Sequence, residues 1–393
     1  MAEKRCSAAA LDDVRAKQRD SCVCPTCVPS EIPEVAPEID PTATDLNGVP
    51  NLWETGYRCI RYMGTCNGGQ VYLGRERGKL EDFVAIKRFS IDDVDDYDEI
   101  AREVRNMRMM SHEKILEVKM CFVYHNWVYQ ITPAMNLGSL YDIVVNYKKW
   151  GINERAMAGI SLQILDALAY LHERRYIHRD LKPRHILIDD KGNVKLTGFR
   201  YMIELKNHLD CVFEFDNWLQ NQIYYLAPEV LEQNMRGYTA KSDIYMLGIS
   251  VCEAINGVMP FAELEPPEML YRKLNGQVPR PVDEISLMDD EKLGIDISQR
   301  PEEHLRRRFS REMHAFVENC LLFDPNQRKS AVDAKDAAWL SLKAHKTLKP
   351  SDLSRNLELD YSHFNLKLWE QEPLQPLQPE QTYDIKFDYS SIS

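Results

Sequence analysis

The sequence predicts an α+β protein in which a small strand-rich part precedes a larger helical part. Between Arg61 and Phe89, runs of strand-like residues flank the pair Gly68-Gly69, a pattern typical of strands joined by a tight turn. Farther along, apolar residues recur at helical spacing from Leu162 to Leu171. Strands that come first and helices that come later favour two unequal lobes.

The predicted elements follow one another along the chain. A helical pattern runs from Ile100 to Met110, and strand-like runs follow at Ile115–Val123 and Asn126–Thr132. The stretch Tyr245–Ala254 is apolar enough to be a buried helix. Asp283–Arg308 is strongly charged and weakly periodic, so we interpret it as a surface insertion between two helices.

Globular sequence extends from residue 57 to residue 345, between two polar tails. Residues 1–53 are rich in Pro, Ala, Asp and Glu without periodicity, which predicts disorder. Cys22, Cys24 and Cys27 lie there with only Cys6 nearby as a fourth zinc ligand, so an unstructured thiol cluster is the simpler interpretation. Residues 346–393 are predicted to be a second polar tail. Its prolines at 373, 376 and 379 form a candidate polyproline stretch with acidic flanks.

Composition argues against several classes of function. The 393 residues carry a net charge of −12, which disfavours nucleic acid or an anionic membrane as the main partner. No signal-peptide pattern is found between Met1 and Asp20, and no apolar stretch approaches the roughly 20 residues of a membrane span. The ten cysteines, including Cys121, Cys252 and Cys320 in core-like surroundings, are expected to be reduced thiols. Together these features predict a cytoplasmic protein.

Several motifs occur in a fixed order. Gly64-Thr-Cys66-Asn-Gly68-Gly69-Gln-Val71 has the spacing of a phosphate-covering loop, although Cys66 stands at the usual middle glycine and its Cβ should crowd a phosphate. Val84-Ala85-Ile86-Lys87 and the later His178-Arg179-Asp180 and Ala227-Pro228-Glu229 follow. In this order the motifs resemble the protein-kinase superfamily over residues 57–345. The resemblance implies a bilobal protein-kinase fold with a β-rich N-lobe and a helical C-lobe.

The resemblance also implies an ATP site. Lys87 would pair with the α- and β-phosphates, and Glu103 would be the ion partner of that lysine. Thr132 takes the gatekeeper position, and the backbone of Met135 would face the adenine edge. The nucleotide-binding residues implied in this way are Gly64, Gly69, Val71, Ala85, Lys87, Glu103, Thr132 and Met135.

The motifs that hold magnesium in this superfamily are degenerate. Asp180 keeps the carboxylate that would accept a substrate proton, but His185 replaces the asparagine that binds the second ion. Gly198 has no side chain where the principal metal-binding carboxylate belongs, and Arg200 replaces a glycine. Because phosphoryl transfer depends on that metal, the sequence predicts a pseudokinase with no functional catalytic residue.

The scaffold of the large lobe is otherwise intact. Arg328 is placed to pair with Glu229, and Asp243 to bond the catalytic-loop backbone. His178, Phe199 and Met107 are candidates for an apolar column.

The segment from Tyr201 to Leu226 contains no Ser or Thr. We therefore expect an acidic residue to meet Arg179 in place of a phosphate. The candidates are Glu204, Asp210, Glu214 and Asp216.

A closer resemblance, to the Sterile-20-related kinase adaptors, rests on longer runs of the large lobe. They are His185-Ile-Leu-Ile, Gly192-Asn-Val-Lys-Leu-Thr-Gly198-Phe-Arg200, Gly237-Tyr-Thr-Ala-Lys-Ser-Asp243-Ile-Tyr and Lys273-Leu-Asn-Gly276-Gln-Val-Pro. The family implies an allosteric activator that grips a partner serine/threonine kinase of the liver-kinase-B type. It also implies a helical-repeat scaffold protein as a further partner and ATP as a structural ligand without magnesium.

This chain departs from that family pattern in its complete lysine strand, in Asp180 and at its end. The family docks its scaffold through a terminal Trp-Glu-Phe, of which Trp369-Glu370 is only an internal echo. Two other interpretations stay open. One is a weak, unorthodox kinase that uses Asp180 and Lys87, and the other is a static scaffold that neither binds nucleotide nor activates a partner.

Overall fold

The structure, a computed structural model, describes residues 52, 55–66, 69–79, 82–91, 97–124, 126–206, 211–215, 222–233, 235–292, 301–342, 345, 348–359 and 364. These residues fall into two compact units. The first contains residues 52–91 and 118–132, and the second contains residues 97–117 and those from 133 onward. The predicted α+β class is confirmed, because the first unit is built on a sheet and the second mainly on helices.

The first unit is built on five strands. They are β1 (Tyr57–Cys66), β2 (Gly69–Glu76), β3 (Phe83–Ser90), β4 (Met120–Tyr124) and β5 (Trp127–Pro133). Their order in the sheet is β1-β2-β3-β5-β4. The strand predicted at Ile115–Val123 begins later than expected, because Ile115 instead forms an isolated bridge with Leu196 in the second unit.

One face of this sheet is a closed apolar core. Val84 and Ile86 of β3 are fully buried on it. Successive side chains of a strand point to opposite faces, so Ala85 and Lys87 lie on the other face. The core residues are Leu52, Tyr57, Cys59, Tyr72, Val84, Ile86, Tyr129 and Ile131.

The second unit is mainly helical. In chain order the first six are α1 (Tyr97–Met109), α2 (Leu140–Tyr147), α3 (Glu154–Glu173), α4 (Pro228–Leu231), α5 (Lys241–Asn256) and α6 (Pro266–Leu274). The other helices of the described residues are α7 (Glu284–Lys292), α8 (Glu302–Arg306), α9 (Arg311–Cys320), α10 (Ala331–Lys335), α11 (Ala338–Ser341) and α12 (Pro350–Leu357). Throughout the described ranges, every helix is too short or too polar to traverse a bilayer.

Short strands complete the second unit. They are β6 (Gly138–Ser139), β7 (Tyr176–Ile177), β8 (Ile186–Ile188), β9 (Val194–Leu196) and β10 (Ile203–Glu204). Strands β6, β8 and β9 form one small sheet, and β10 pairs with β7 in another. The turns Pro183–His185 and Phe199–Tyr201 are 3₁₀ helices beside these strands.

Helices α3 and α5 form the core of the second unit. Asn153 caps α3, since its side-chain oxygen accepts the backbone N–H of Ala156 at 2.9 Å. Ile164 and Leu168 of α3 are fully buried, as their helical spacing predicts. Helix α5 is buried along almost its whole length, which confirms the buried helix predicted at Tyr245–Ala254.

The described part of the predicted C-terminal tail contains a packed helix. Helix α12 packs against α3 and buries Leu353 and Leu357, and Phe364 is buried as well. The side-chain amide of Asn136 donates to the Phe364 carbonyl oxygen at 3.0 Å. The stretch after the boundary predicted at residue 346 thus still buries three apolar side chains, and the boundary itself stays a prediction. The cysteine cluster of the first tail and the polyproline stretch lie outside the described residues.

The charged stretch Asp283–Arg308 is not simply a surface insertion. Helices α7 and α8 lie at its two ends, and residues 293–300 lie outside the described part. Asp283 is fully buried and accepts the backbone N–H of Phe309 at 3.0 Å. Arg307 donates to the Ile255 carbonyl oxygen at 2.7 Å. The many charged residues of this stretch predicted a solvent-exposed surface. Asp283 and Arg307 instead form hydrogen bonds with backbone atoms of the second unit.

Two of the three cysteines expected in the core are buried there. Cys252 and Cys320 are almost inaccessible, and burial raises the pKa of Cys320 to about 12. Cys121 is only half-buried on β4, so its assignment to the core is wrong. All three are free thiols, as predicted.

Candidate functional site

Strand register in the first unit brings three predicted nucleotide-site residues together. Val71 of β2 pairs with Lys87 of β3, and Leu73 pairs with Ala85. Paired residues of neighbouring strands lie on the same face of a sheet. Val71, Ala85 and Lys87 therefore share the face opposite the apolar core, where Lys87 Nζ lies 4.6 Å from the ring centre of Phe89.

The glycine-rich turn joins β1 and β2. Gly64 lies in β1, and Cys66 pairs with Gly69 at the start of β2. A Cβ at Gly69 would meet the ring of Phe89 at 2.7 Å, so this position has no room for a side chain. Residues 67–68 and the side chain of Cys66 lie outside the described part, and the crowding expected from Cys66 stays a prediction.

The other predicted nucleotide-site residues are divided between the units. Thr132 is buried near the end of β5 in the first unit. Met135 belongs to the second unit, where its carbonyl oxygen accepts the N–H of Gly138 at 2.9 Å. Glu103 is buried on α1 of the second unit. The Lys87–Glu103 ion pair stays a prediction.

A buried carboxylate holds the loop that carries Asp180. Asp243, at the start of α5, accepts the backbone N–H groups of His178 and Arg179 at 2.9 Å each, as predicted. Arg179 has a φ of +69°, a left-handed conformation that costs about 1 kcal/mol or more. Burial alone would raise the pKa of Asp243, but hydrogen bonds from His172 and the backbone outweigh it and lower the pKa. The charged carboxylate thus stabilises a strained loop.

Asp180 is a buried carboxyl group with a cationic neighbour. Its Oδ1 lies 2.9 Å from Lys182 Nζ. Burial raises the pKa of Asp180 to about 7, although Lys182 opposes this shift. A carboxyl group with such a pKa suits proton transfer near neutral pH, which alone contributes about 10²–10⁴-fold to a reaction.

The positions of the two missing metal ligands are in contact. His185 Nδ1 lies 2.7 Å from the Asp180 carbonyl oxygen and 3.4 Å from its Oδ2. Gly198 has a φ of +84°, and a Cβ built there would lie within 2.6 Å of three atoms of the His185 ring. The imidazole therefore occupies the space that a side chain at position 198 would need.

The residues at these two positions do not fit a magnesium ion. Magnesium requires oxygen ligands in a nearly octahedral array, and an imidazole with no carboxylate opposite it offers none. Within the described residues, no group of three or more His, Cys, Asp or Glu side chains is arranged to hold a metal ion.

The predicted framework contacts are present in the second unit. Arg328 forms two hydrogen bonds with the Glu229 carboxylate, at 2.6 and 2.7 Å, and both residues are buried. The rings of His178 and Phe199 meet edge to face with centroids 4.9 Å apart. Met107 of α1 is also buried, and its contact with these two rings stays a prediction. Burial lowers the pKa of His178, which favours the neutral ring.

Arg179 contacts the segment after β10 through a backbone carbonyl group. Its Nη2 donates to the backbone carbonyl oxygen of Glu214 at 3.3 Å, and its guanidinium lies 5.7 Å from the Tyr238 ring. The expected contact between Arg179 and an acidic side chain stays a prediction. Glu204 is exposed in β10. The other two candidates, Asp210 and Asp216, lie outside the described residues.

Lys273 of α6 is a buried cation that sequence reasoning missed. It is 0% exposed, and burial lowers its pKa to about 7. Its spacing from the buried Met269, four residues earlier, was the available signal, since both lie on the same helical face. Its Nζ donates to the carbonyl oxygens of Ile223 (3.4 Å), Tyr224 (2.9 Å) and Leu226 (2.6 Å).

Glu253 of α5 is a second buried ionisable group that was not predicted. It accepts a hydrogen bond of 2.7 Å from the Tyr225 hydroxyl. Burial raises the pKa of Glu253 to about 7. Tyr225 is itself buried, whereas Tyr201 and Tyr224 are half-buried.

Comparisons with known proteins give the family. The family model for the protein kinase domain matches residues 57–340. The chain is 70% identical to the STE20-related kinase adapter protein strd-1 of Caenorhabditis elegans over 352 residues, which is 90% of this chain and 91% of that protein. It is 34% identical to the STE20-related kinase adapter protein alpha of Homo sapiens over 253 residues. That alignment covers 58% of this chain and 59% of the human protein, which is less than two thirds of either. The chain belongs to the protein kinase family and, within it, to the STE20-related kinase adapters.

Proposed function

We propose that this chain is a catalytically inactive pseudokinase that acts in the cytoplasm as an adaptor and allosteric activator of a partner serine/threonine kinase. The partner we expect is a polarity kinase of the liver-kinase-B type. One observation carries the proposal: the His185 ring fills the space that a carboxylate at position 198 would need. The names of the relatives, which call them kinase adapters, support the same reading.

The argument against catalysis is electrostatic. Phosphoryl transfer needs metal ions that bridge the β- and γ-phosphates and neutralise the charge that develops there. Asp180 is present and buried, but it can only orient a nucleophile and accept its proton. That contribution does not replace an electrostatic effect that is usually larger.

The framework contacts support a role that depends on shape. Removing one partner of a buried ion pair such as Arg328–Glu229 costs about 3–5 kcal/mol, because the other charge is left buried and unpaired, so the fold depends on both residues whether or not chemistry occurs. Asp243 likewise fixes the loop beside Asp180. A kinase-like fold whose residues 185 and 198 do not fit magnesium is suited to binding a partner.

ATP is proposed as a structural ligand that needs no magnesium. A ligand at 100 times its dissociation constant stabilises the form that binds it by about 2.7 kcal/mol. We expect ATP to raise the melting temperature in the presence of a metal chelator, and Lys87→Ala to abolish that rise. Lys79→Ala is the matched control, because Lys79 is an exposed lysine of the same unit paired with Glu76. An unchanged melting temperature at millimolar ATP would leave a scaffold that binds no nucleotide.

Activation of the partner kinase tests the adaptor role. The purified chain, mixed with a kinase of the liver-kinase-B type, should increase the phosphorylation of a peptide substrate of that kinase. Asp180→Ala should leave the increase unchanged. Absence of any increase, with or without an added helical-repeat scaffold protein, would contradict the proposal.

A weak kinase is the second candidate, favoured by one observation. Asp180 is present, and its pKa of about 7 suits a general base. That candidate requires the purified chain, free of other kinases, to phosphorylate a generic peptide with magnesium or manganese. It also requires the activity to disappear in Asp180→Ala.

A further inference from the structure

Arg200 joins helix α1 to the turn Phe199–Tyr201 in the second unit. Its Nη1 donates to Glu99 Oε2 at 3.2 Å, and its Nε lies 3.7 Å from Glu103 Oε2. Glu99 and Glu103 are four residues apart on α1, so they lie one above the other on one helical face. A single guanidinium therefore contacts two successive turns of the helix.

A second contact connects the same two elements. The side-chain amide of Asn106, farther along α1, donates to the carbonyl oxygen of Phe199 at 2.8 Å. Phe199 is fully buried, so the turn itself is firmly placed. With Arg200, side chains from three turns of α1 are now tied to one short turn of the chain.

The charges of Glu99, Glu103 and Arg200 favour the contact between the guanidinium and the two carboxylates. Like charges at Glu99 and Glu103 repel each other, and the cation of Arg200 offsets this repulsion. The side chains of Glu103, Arg200 and Glu99 are only 4%, 15% and 26% exposed, so solvent and salt screen their attraction less than at an open surface. The planar guanidinium suits this arrangement, because it presents several N–H donors at once.

The cluster also reaches the loop of the degenerate site. Burial is the main cause of the raised pKa of Asp180, and Lys182 opposes it. Among the smaller contributions, Glu103 raises that pKa and Arg200 lowers it. Arg200 is thus close enough to act electrostatically on both α1 and Asp180.

We propose that Arg200 is a built-in clamp that fixes helix α1 against the turn Phe199–Tyr201 without nucleotide, metal or partner. The glycine that ordinary kinases carry at this position has no side chain and cannot form such a clamp. The inference goes beyond the proposed function, because the clamp operates whether or not the chain binds ATP or activates a kinase.

Hydrogen exchange of the full-length chain without nucleotide tests the clamp. Arg200→Ala should increase the exchange rates of the backbone amides of α1 by about tenfold or more, since it removes two partly buried ion pairs. The amides of α5 should keep their rates. Arg200→Lys should give an intermediate increase, because a single ammonium cannot serve both carboxylates as a guanidinium does. Arg184→Ala is the matched control, since Arg184 is an exposed arginine stacked on Tyr141.

The second half of the experiment removes the carboxylates. Glu99→Gln should raise the exchange of α1 in the normal protein but have little further effect in the Arg200→Ala variant, because the two residues form one interaction. Unchanged exchange of α1 in Arg200→Ala would overturn the proposal. An equal increase in α1 and α5 would overturn it too, since the clamp acts on α1 alone. Because no nucleotide or partner is added, these outcomes are independent of the adaptor proposal.

Discussion

Replacing Gly198 by Asp should destabilise the protein, and replacing His185 by Asn at the same time should relieve much of that loss. The new Cβ would lie within 2.6 Å of three atoms of the His185 ring, so the ring must move. Overpacking of this kind costs about 1–3 kcal/mol, and the weakened hydrogen bond from His185 to the Asp180 carbonyl adds about 1 kcal/mol. The left-handed backbone at position 198, with a φ of +84°, adds about 1–2 kcal/mol for any residue with a Cβ. We therefore expect the single Gly198→Asp variant to lose roughly 3–6 kcal/mol of unfolding free energy.

Urea unfolding, followed by circular dichroism and tryptophan fluorescence, measures this double-mutant cycle. Gly198→Ala is the matched control, because it introduces the Cβ without the charge and should carry most of the loss. His185→Asn removes the ring, so the double variant should be more stable than the sum of the two single losses by about 1–2 kcal/mol. Additive losses within about 0.5 kcal/mol would refute the reasoning, as would a Gly198→Asp variant as stable as the normal chain.

Two further predictions concern stability. Burial raises the pKa of Glu253 from 4.5 to about 7, so the folded state holds this proton more tightly and stability should fall as the pH rises from about 4.5 to 7. In urea unfolding, Glu253→Gln should remove up to about 3 kcal/mol of that fall in stability, whereas the exposed control Glu318→Gln should keep it. If stability falls with pH as steeply in Glu253→Gln as in the normal chain, Glu253 is not the group responsible. Gly192→Ala should lower the melting temperature far more than Gly78→Ala, although both glycines have φ near +80°, because only the Cβ at 192 meets the carbonyl group of Pro350, within 2.6 Å. Equal losses in the two glycine variants would show that α12 does not pack as described.

The sequence predicted those parts of the fold whose determinants are local. Strands alternate with a period of two and helices with a period near 3.6, so the strands before Phe89 and the buried helix around Tyr245 follow from the pattern alone. The hydrogen bonds of Asp243 to the backbone near His178 and the Arg328–Glu229 ion pair were predicted from the order of the motifs. The resemblance to the kinase family supplied that order.

The remaining features depend on contacts between distant residues. The hydrogen bond between Asn136 and Phe364 joins positions 228 residues apart, and no periodicity in the sequence around Phe364 predicts it. Lys273 looks like an ordinary surface lysine until the chain places three carbonyl groups around it. The sequence shows that His185 and Gly198 replace the usual metal ligands. It does not show that the His185 ring fills the space beside Gly198, because that depends on how the two residues pack.

The presence of Asp180 is compatible with a chain that performs no catalysis. Its carboxylate lies 2.9 Å from the largely buried Lys182, and removal of either partner leaves the other charge in a poorly solvated place. A metal ligand at position 198 would have no such protein partner, because its role is to face a bound ion. In this chain the His185 ring fills the space beside Gly198, whereas replacement of Asp180 would leave the Lys182 cation without this carboxylate. The contact with Lys182 thus gives Asp180 a structural role that requires no catalysis, although burial still raises the pKa of Asp180 to about 7.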